Sequence, residues 1–124
     1  SWGTTATGIM LLTGHTPLNT HRYVSDVVAD EISQAYTRGA LATQTRNINT
    51  GSSRIEFLAA NHTFTSLIAG DTPSHVCIYD AASGTDATDE IIAVLELLAT
   101  IPAPNGGDYT MNWGSGSGIL FYLG

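Results

Sequence analysis

Residues 39–59 read GALATQTRNINTGSSRIEFLA. The stretch holds two runs around a polar turn, and its pattern decides the fold class. Gly39 opens a polar-alternating strand through Ala42, Gln44 and Arg46. Asn49, Thr50, Gly51 and Ser52 supply the turn chemistry of a hairpin. Residues 54–59 (RIEFLA) return as the partner strand. Alternation puts Ile55 and Phe57 on one face and Arg54 and Glu56 on the other.

The same rhythm extends in both directions. Short apolar runs alternate with turn residues at intervals of about ten, as in sandwiches and barrels. Upstream, residues 8–13 (GIMLLT) form a first strand, and a loop with Pro17 follows. Residues 24–33 (VSDVVADEIS) are the first helix candidate. Val24, Val27, Val28 and Ile32 share a helical face, and Ser25 or Asp26 can cap it. The β-branched content limits it to a turn or two.

Downstream, residues 62–68 form a strand around Phe64, and Asp71-Thr72-Pro73 turns into a buried strand at residues 75–79. A polar loop follows at residues 80–89 (DAASGTDATD). Residues 90–100 fit a helix by their leucines or a strand by the surrounding rhythm. Residues 105–108 (NGGD) turn. Two last strands, at 109–113 and 118–123, are joined across Gly114-Ser115-Gly116-Ser117 as a flexible hairpin. The expected fold is mainly β, an antiparallel sandwich or barrel-like single domain over residues 1–124 with one short helix.

Composition narrows the function. Hydrophobic residues are 43% of the 124-residue chain, ample for one core. Charged residues are 12%, against about 25% in ordinary globular domains. The four cations, Arg22, Arg38, Arg46 and Arg54, face eleven carboxylates, for a net charge of −7 and no lysine. Nucleic-acid binding needs many cations to displace phosphate counterions, so this balance argues against it. It argues equally against an anionic membrane surface. The missing lysine forbids a Walker A loop, a Schiff-base enzyme and a Ser–Lys dyad. The N-terminus lacks a basic region before its apolar segment, so no signal peptide is expected. Cys77 is alone in an apolar run and is expected as a buried hydrophobe.

No catalytic constellation emerges. Residues 114–118 (GSGSG) put Gly116 where a nucleophile elbow needs serine. His15, His21, His62 and His75 lack the spacings of a metal site on one element. His21 is expected to anchor its loop. Asp80, Asp86, Asp89 and Glu90 crowd one loop without the calcium-loop pattern, and are expected as a solvated loop with Asx turns. Trp2, Trp113, Phe121 and Tyr122 suit core or interface better than ligand stacking. No catalytic, cofactor-binding or metal-ligating residue is therefore assigned.

Four stretches carry a resemblance. Thr16-Pro17, then Thr20-His21-Arg22-Tyr23 and Ser25-Asp26-Val27, form the first. Tyr36-Thr37-Arg38-Gly39-Ala40-Leu41-Ala42 is the second. Val76-Cys77-Ile78-Tyr79 followed by Gly84-Thr85-Asp86-Ala87-Thr88 is the third. Asn105-Gly106-Gly107-Asp108-Tyr109-Thr110 through Trp113, then Gly118-Ile119-Leu120, is the last. In this order they resemble a family of small structural proteins of tailed bacteriophages and prophages. The chain departs from that pattern at Asp80, where lysine is usual, and at Ala40, where glycine is usual. It also lacks an Asp-rich run before Phe64.

The resemblance implies a virion component without catalytic residues or cofactor. It implies a head decoration, or cement, protein on the outer capsid surface, bound to the major capsid protein. A tail- or fibre-associated virion protein is the alternative. Threefold positions on icosahedral lattices make a homotrimer the expected oligomer. Trp2 and the aromatic C-terminus are candidate anchors.

Overall fold

The computed structural model describes residues 6–97, 102–113 and 118–123. Nine strands are described: β1 (Thr7–Leu12), β2 (Gly39–Ala40), β3 (Thr45–Asn49), β4 (Arg54–Leu58), β5 (His62–Phe64), β6 (His75–Asp80), β7 (Ile91–Glu96), β8 (Tyr109–Met111) and β9 (Ile119–Leu123). They form three antiparallel sheets, ordered β2-β1-β6-β7, β3-β4-β9 and β5-β8. The mainly β, antiparallel fold class is as expected from the sequence.

The central pair, β1 and β6, is apolar on both faces because both faces are covered. Their register pairs Ile9 with Ile78, Met10 with Cys77 and Leu11 with Val76. All six residues have no measurable exposure. On one side, Ile9, Leu11, Val76 and Ile78 meet Phe64, Tyr109, Met111 and Trp113 from the β5-β8 sheet and its end. On the other, Met10, Leu12, Cys77 and Tyr79 meet Val24 and Val27. Each such buried aliphatic side chain contributes about 1.5–3 kcal/mol by leaving water.

Several local expectations are corrected. Residues 24–33 keep to the turn or two expected, as the two 3-10 turns Val24–Asp26 and Val28–Asp30; the other local expectations change more. Three valines in five residues disfavour longer helix. Asp26 caps them by reaching back: its carboxylate accepts the Arg22 and Tyr23 N–H groups at 2.9 Å. The strand expected from Gly39 through Arg46 is broken after Ala40. Leu41 dives into the core, its N–H on the Thr7 carbonyl, and Thr43 turns through φ +53°. The strand expected at 62–68 stops at Phe64, because Ser66 adopts φ +51° with its N–H on Asp108.

Residues 91–96 are a strand. Cross-strand pairing with β6 overrides the helix propensity of their leucines. Residues 98–100, the end of that ambiguous stretch, lie outside the described residues. The two last strands do not form a hairpin with each other: β8 pairs with β5, and β9 pairs with β4.

Candidate functional site

The hairpin that opened the sequence reading becomes an arm. β3, β4 and β9 pair only with one another among the described residues. At the base, Ala59 N–H meets the Gly118 carbonyl, Ala60 N–H meets the Ala42 carbonyl, and the Trp113 indole donates to the Ala60 carbonyl. At the tip, Asn49 Oδ1 accepts the Ser52 N–H at 3.0 Å, and Ser53 turns through φ +53°.

Register fixes what each face of the arm carries. Ile48 lies opposite Ile55, and Ile55 opposite Leu123. One turn of the pleat inward, Arg46 lies opposite Phe57, and Phe57 opposite Phe121. The two phenylalanine rings stack with centroids 4.8 Å apart. The row Ile48–Ile55–Leu123 is exposed at 70%, 37% and 58%. A groove of about 500 Å³ opens beside it, closed at the tip by Thr50 and Ser53.

The other face carries the surprise. Alternation holds as read, with Arg54 and Glu56 on one face, but Glu56 is buried and Ile55 is not. Glu56 accepts bonds from Asn47 and Asn49 side-chain amides at 2.9 and 3.2 Å, and from Arg54 at 2.8 Å. These donors hold its carboxyl below the usual range, the Asn47 bond foremost. The polar face therefore closes on itself and leaves the apolar row open.

A second assembly clamps the body. Arg38 meets Glu31 through Nε and Nη2 at 2.8 Å and Asp86 through Nη1 at 2.8 Å. Tyr36 donates its hydroxyl to Glu31 and accepts the Leu11 N–H at 3.1 Å. Burial, then the Glu31 bond, pushes the Tyr36 phenol up. The clamp thus ties the 3-10 turns, the segment before β2, β1 and the acidic loop together. It walls a cavity of about 740 Å³ with His62 and Phe64 on the far side. The guanidinium is saturated by two carboxylates, so it is not poised for an anion or an oxyanion.

The acidic loop is less solvated than its composition suggests. Asp80 makes an Asx turn to the Ala82 N–H, as expected. Asp86 belongs to the clamp, Asp89 is buried on the Ser83 hydroxyl, and Glu90 bridges Arg22 at 2.9 Å.

Three of the four histidines come together from separate segments. His15 is fully buried, with Nδ1 2.7 Å from Asp30 Oδ2. The His21 ring lies 5.5 Å from it and the His75 ring 5.4 Å. At His21 it is the backbone N–H that ties the loop, on the Leu18 carbonyl, while the ring lies beside His15. Among the described residues, no three His, Cys, Asp or Glu donors converge as a metal site would need. Cys77 is buried as expected, and burial pushes its thiol up to about 12. Trp113 is core; Trp2 and the Tyr122 side chain lie outside the described residues.

Comparison of the chain with protein-family models, with curated proteins and with solved structures returned no match.

Proposed function

We propose that this chain is a head decoration protein of a tailed bacteriophage, carried on the outer surface of the major capsid lattice. The ordered motifs from Thr16 to Leu120 support the family reading. One structural observation supports an assembly role. The arm presents a continuous apolar row, Ile48–Ile55–Leu123, on a three-stranded sheet whose other face carries Asn47, Asn49, Arg54 and Glu56. A small antiparallel sheet needs an apolar face packed on something to be stable. Exposed apolar rows of this kind mark protein–protein contacts. Weak surface charge lowers the desolvation cost of burying large contact areas.

The test is an electron-microscopy reconstruction of the particle that carries the chain, together with its copy number. Density repeated over the outer shell, at hundreds of copies, is the expected result. Density confined to the portal or tail would replace the head reading with a tail reading. Absence from the particle would remove both.

A further inference from the structure

We infer that His15, His21 and His75 form an acid-operated latch: a second proton in the cluster releases the loop at residues 14–21 from the end of the four-stranded sheet while the rest of the fold stays closed.

The loop hangs on one side chain. Of residues 14–21, His15 alone is buried, and residues 16–20 are exposed throughout. A carboxylate only accepts, so His15 Nδ1 carries the proton and donates it to Asp30 Oδ2 at 2.7 Å. His15 Nε2 is buried and has no hydrogen-bond partner among the described residues. A proton added there finds no acceptor while the loop stays closed. The backbone ties around His15 are few. The Thr13 N–H meets the Asp30 carbonyl at 2.8 Å, and the His15 N–H reaches Ser74 Oγ at 3.4 Å.

Two further imidazoles face His15 from different segments. The His21 ring, at the far end of the loop, lies 5.5 Å away. The His75 ring, at the start of β6, meets it edge-on at 5.4 Å, with Nδ1 2.8 Å from Ser74 Oγ. The charged groups around the cluster come from four elements. Asp30 on the second 3-10 turn bonds His15, and Glu96 on β7 stands opposite His75. Asp26 on the first 3-10 turn acts on His21, but its carboxylate is committed to the Arg22 and Tyr23 N–H groups. Arg22, next to His21, is held by Glu90. Cys77, the next side chain on the His75 face of β6, stays a neutral thiol.

Asp30 is thus the one carboxylate bonded to an imidazole of the cluster among the described residues, and it balances one imidazolium at most. A second would sit 5.4 Å from the first, ring to ring and partly out of water. His75 registers both effects: burial, then His15, push its pKa down, with Glu96 opposing. A group depressed in the closed form takes up its proton on opening, so the open form gains as pH falls through the histidine window. The charges part most easily by moving the loop. His75 is held in β6 between β1 and β7, whereas His15 and His21 ride on a segment that pairs with no strand.

The test is amide exchange on the intact chain, corrected for the intrinsic rate, at about pH 7.5 and 5.5. One proton taken up on opening raises the open fraction up to about tenfold per pH unit below the ordinary histidine value. The Thr13 and Ser74 amides, bonded to the Asp30 and Leu12 carbonyls, are therefore expected to lose about tenfold in protection at the lower pH. Their exchange there should be insensitive to small additions of urea, because local opening exposes little surface, while Ile9 and Ile78 should still follow global unfolding. No loss at Thr13 and Ser74, or a loss with the same urea dependence as Ile9 and Ile78, would overturn the latch. His75→Gln is expected to shrink the loss, and Asp30→Asn to bring it on at higher pH. His62→Gln, outside the cluster, should leave it in place. A full loss in His75→Gln, or a response that His62→Gln abolishes, would also overturn it. If His75→Gln loses its fold, His21→Gln on the loop serves in its place and is expected to shrink the loss; an undiminished loss there overturns the latch.

Discussion

At the level of single residues, two contacts carry consequences that hydropathy does not show. Gly8 is the second residue of β1, opposite Tyr79. A methyl group there would lie 2.3 Å from the Tyr79 ring, which is buried. Gly8→Ala should cost about 1–3 kcal/mol through overpacking, measured as a lower urea midpoint. Adding Tyr79→Leu should recover part of the loss; no recovery would mean that the strain lies elsewhere. Arg38→Met leaves Glu31 and Asp86 without their common cation. That should cost about 2–3 kcal/mol, less than a fully buried pair because Arg38 retains 27% exposure. A midpoint equal to the native one would show the clamp to be ornamental. Neither contact could be read from sequence. Gly8 pairs across 71 positions of chain, and the Arg38 partners lie in separate loops.

For whole elements, legibility followed the source of each signal. β1 and β6 were visible as continuous apolar runs because both their faces are buried. The arm hairpin was visible through its turn chemistry and alternation. The direction of its burial was not, because Glu56 is covered by Asn47, Asn49 and Arg54, which any pattern scores as solvent-facing. β7 was ambiguous because leucine serves helix and strand alike, and only pairing with β6 decides. The last two strands were misjoined because adjacency along the chain favoured a hairpin, whereas β8 and β9 each find an earlier partner. The histidine cluster left no local trace, since His15, His21 and His75 meet only through tertiary structure. This contrast predicts a hierarchy of opening. Amides of β1 and β6 should exchange with solvent only on global unfolding, while those of β3 exchange first. Uniform exchange across β3 and β6 would contradict this hierarchy.

Across the whole molecule, two histidines and three carboxylates are shifted in the same direction, and they act together on acidification. His75 is buried on β6, and its pKa is depressed by that burial and then by His15, with Glu96 across the strand pair opposing. His62 is depressed by burial against Phe64 and Gly39. Asp26, Asp71 and Glu56 are held below the usual carboxylate range by hydrogen bonds, from Tyr23 and Arg22, from Ser33, and from Asn47 and Arg54. A group whose folded pKa lies below its unfolded one leaves the unfolded chain binding more protons between the two values, so stability falls as pH falls through that window. The histidine window opens near pH 6.5 and the carboxylate window near pH 4, their ordinary values being about 6.5 and 4. The fold should therefore be most stable at neutral pH and above, and should weaken in two stages on acidification. Urea midpoints at about pH 7.5, 5.5 and 3.5 resolve the stages. His75→Gln should shrink the first stage, leaving the His62 share, and spare the second; Glu56→Gln should shrink only the second. A midpoint unchanged between the first two conditions would mean that His75 and His62 lose no more on protonation in the fold than in the open chain. The burial that encloses them would then have to relax on protonation, and β6, where His75 sits, would show that as earlier amide exchange.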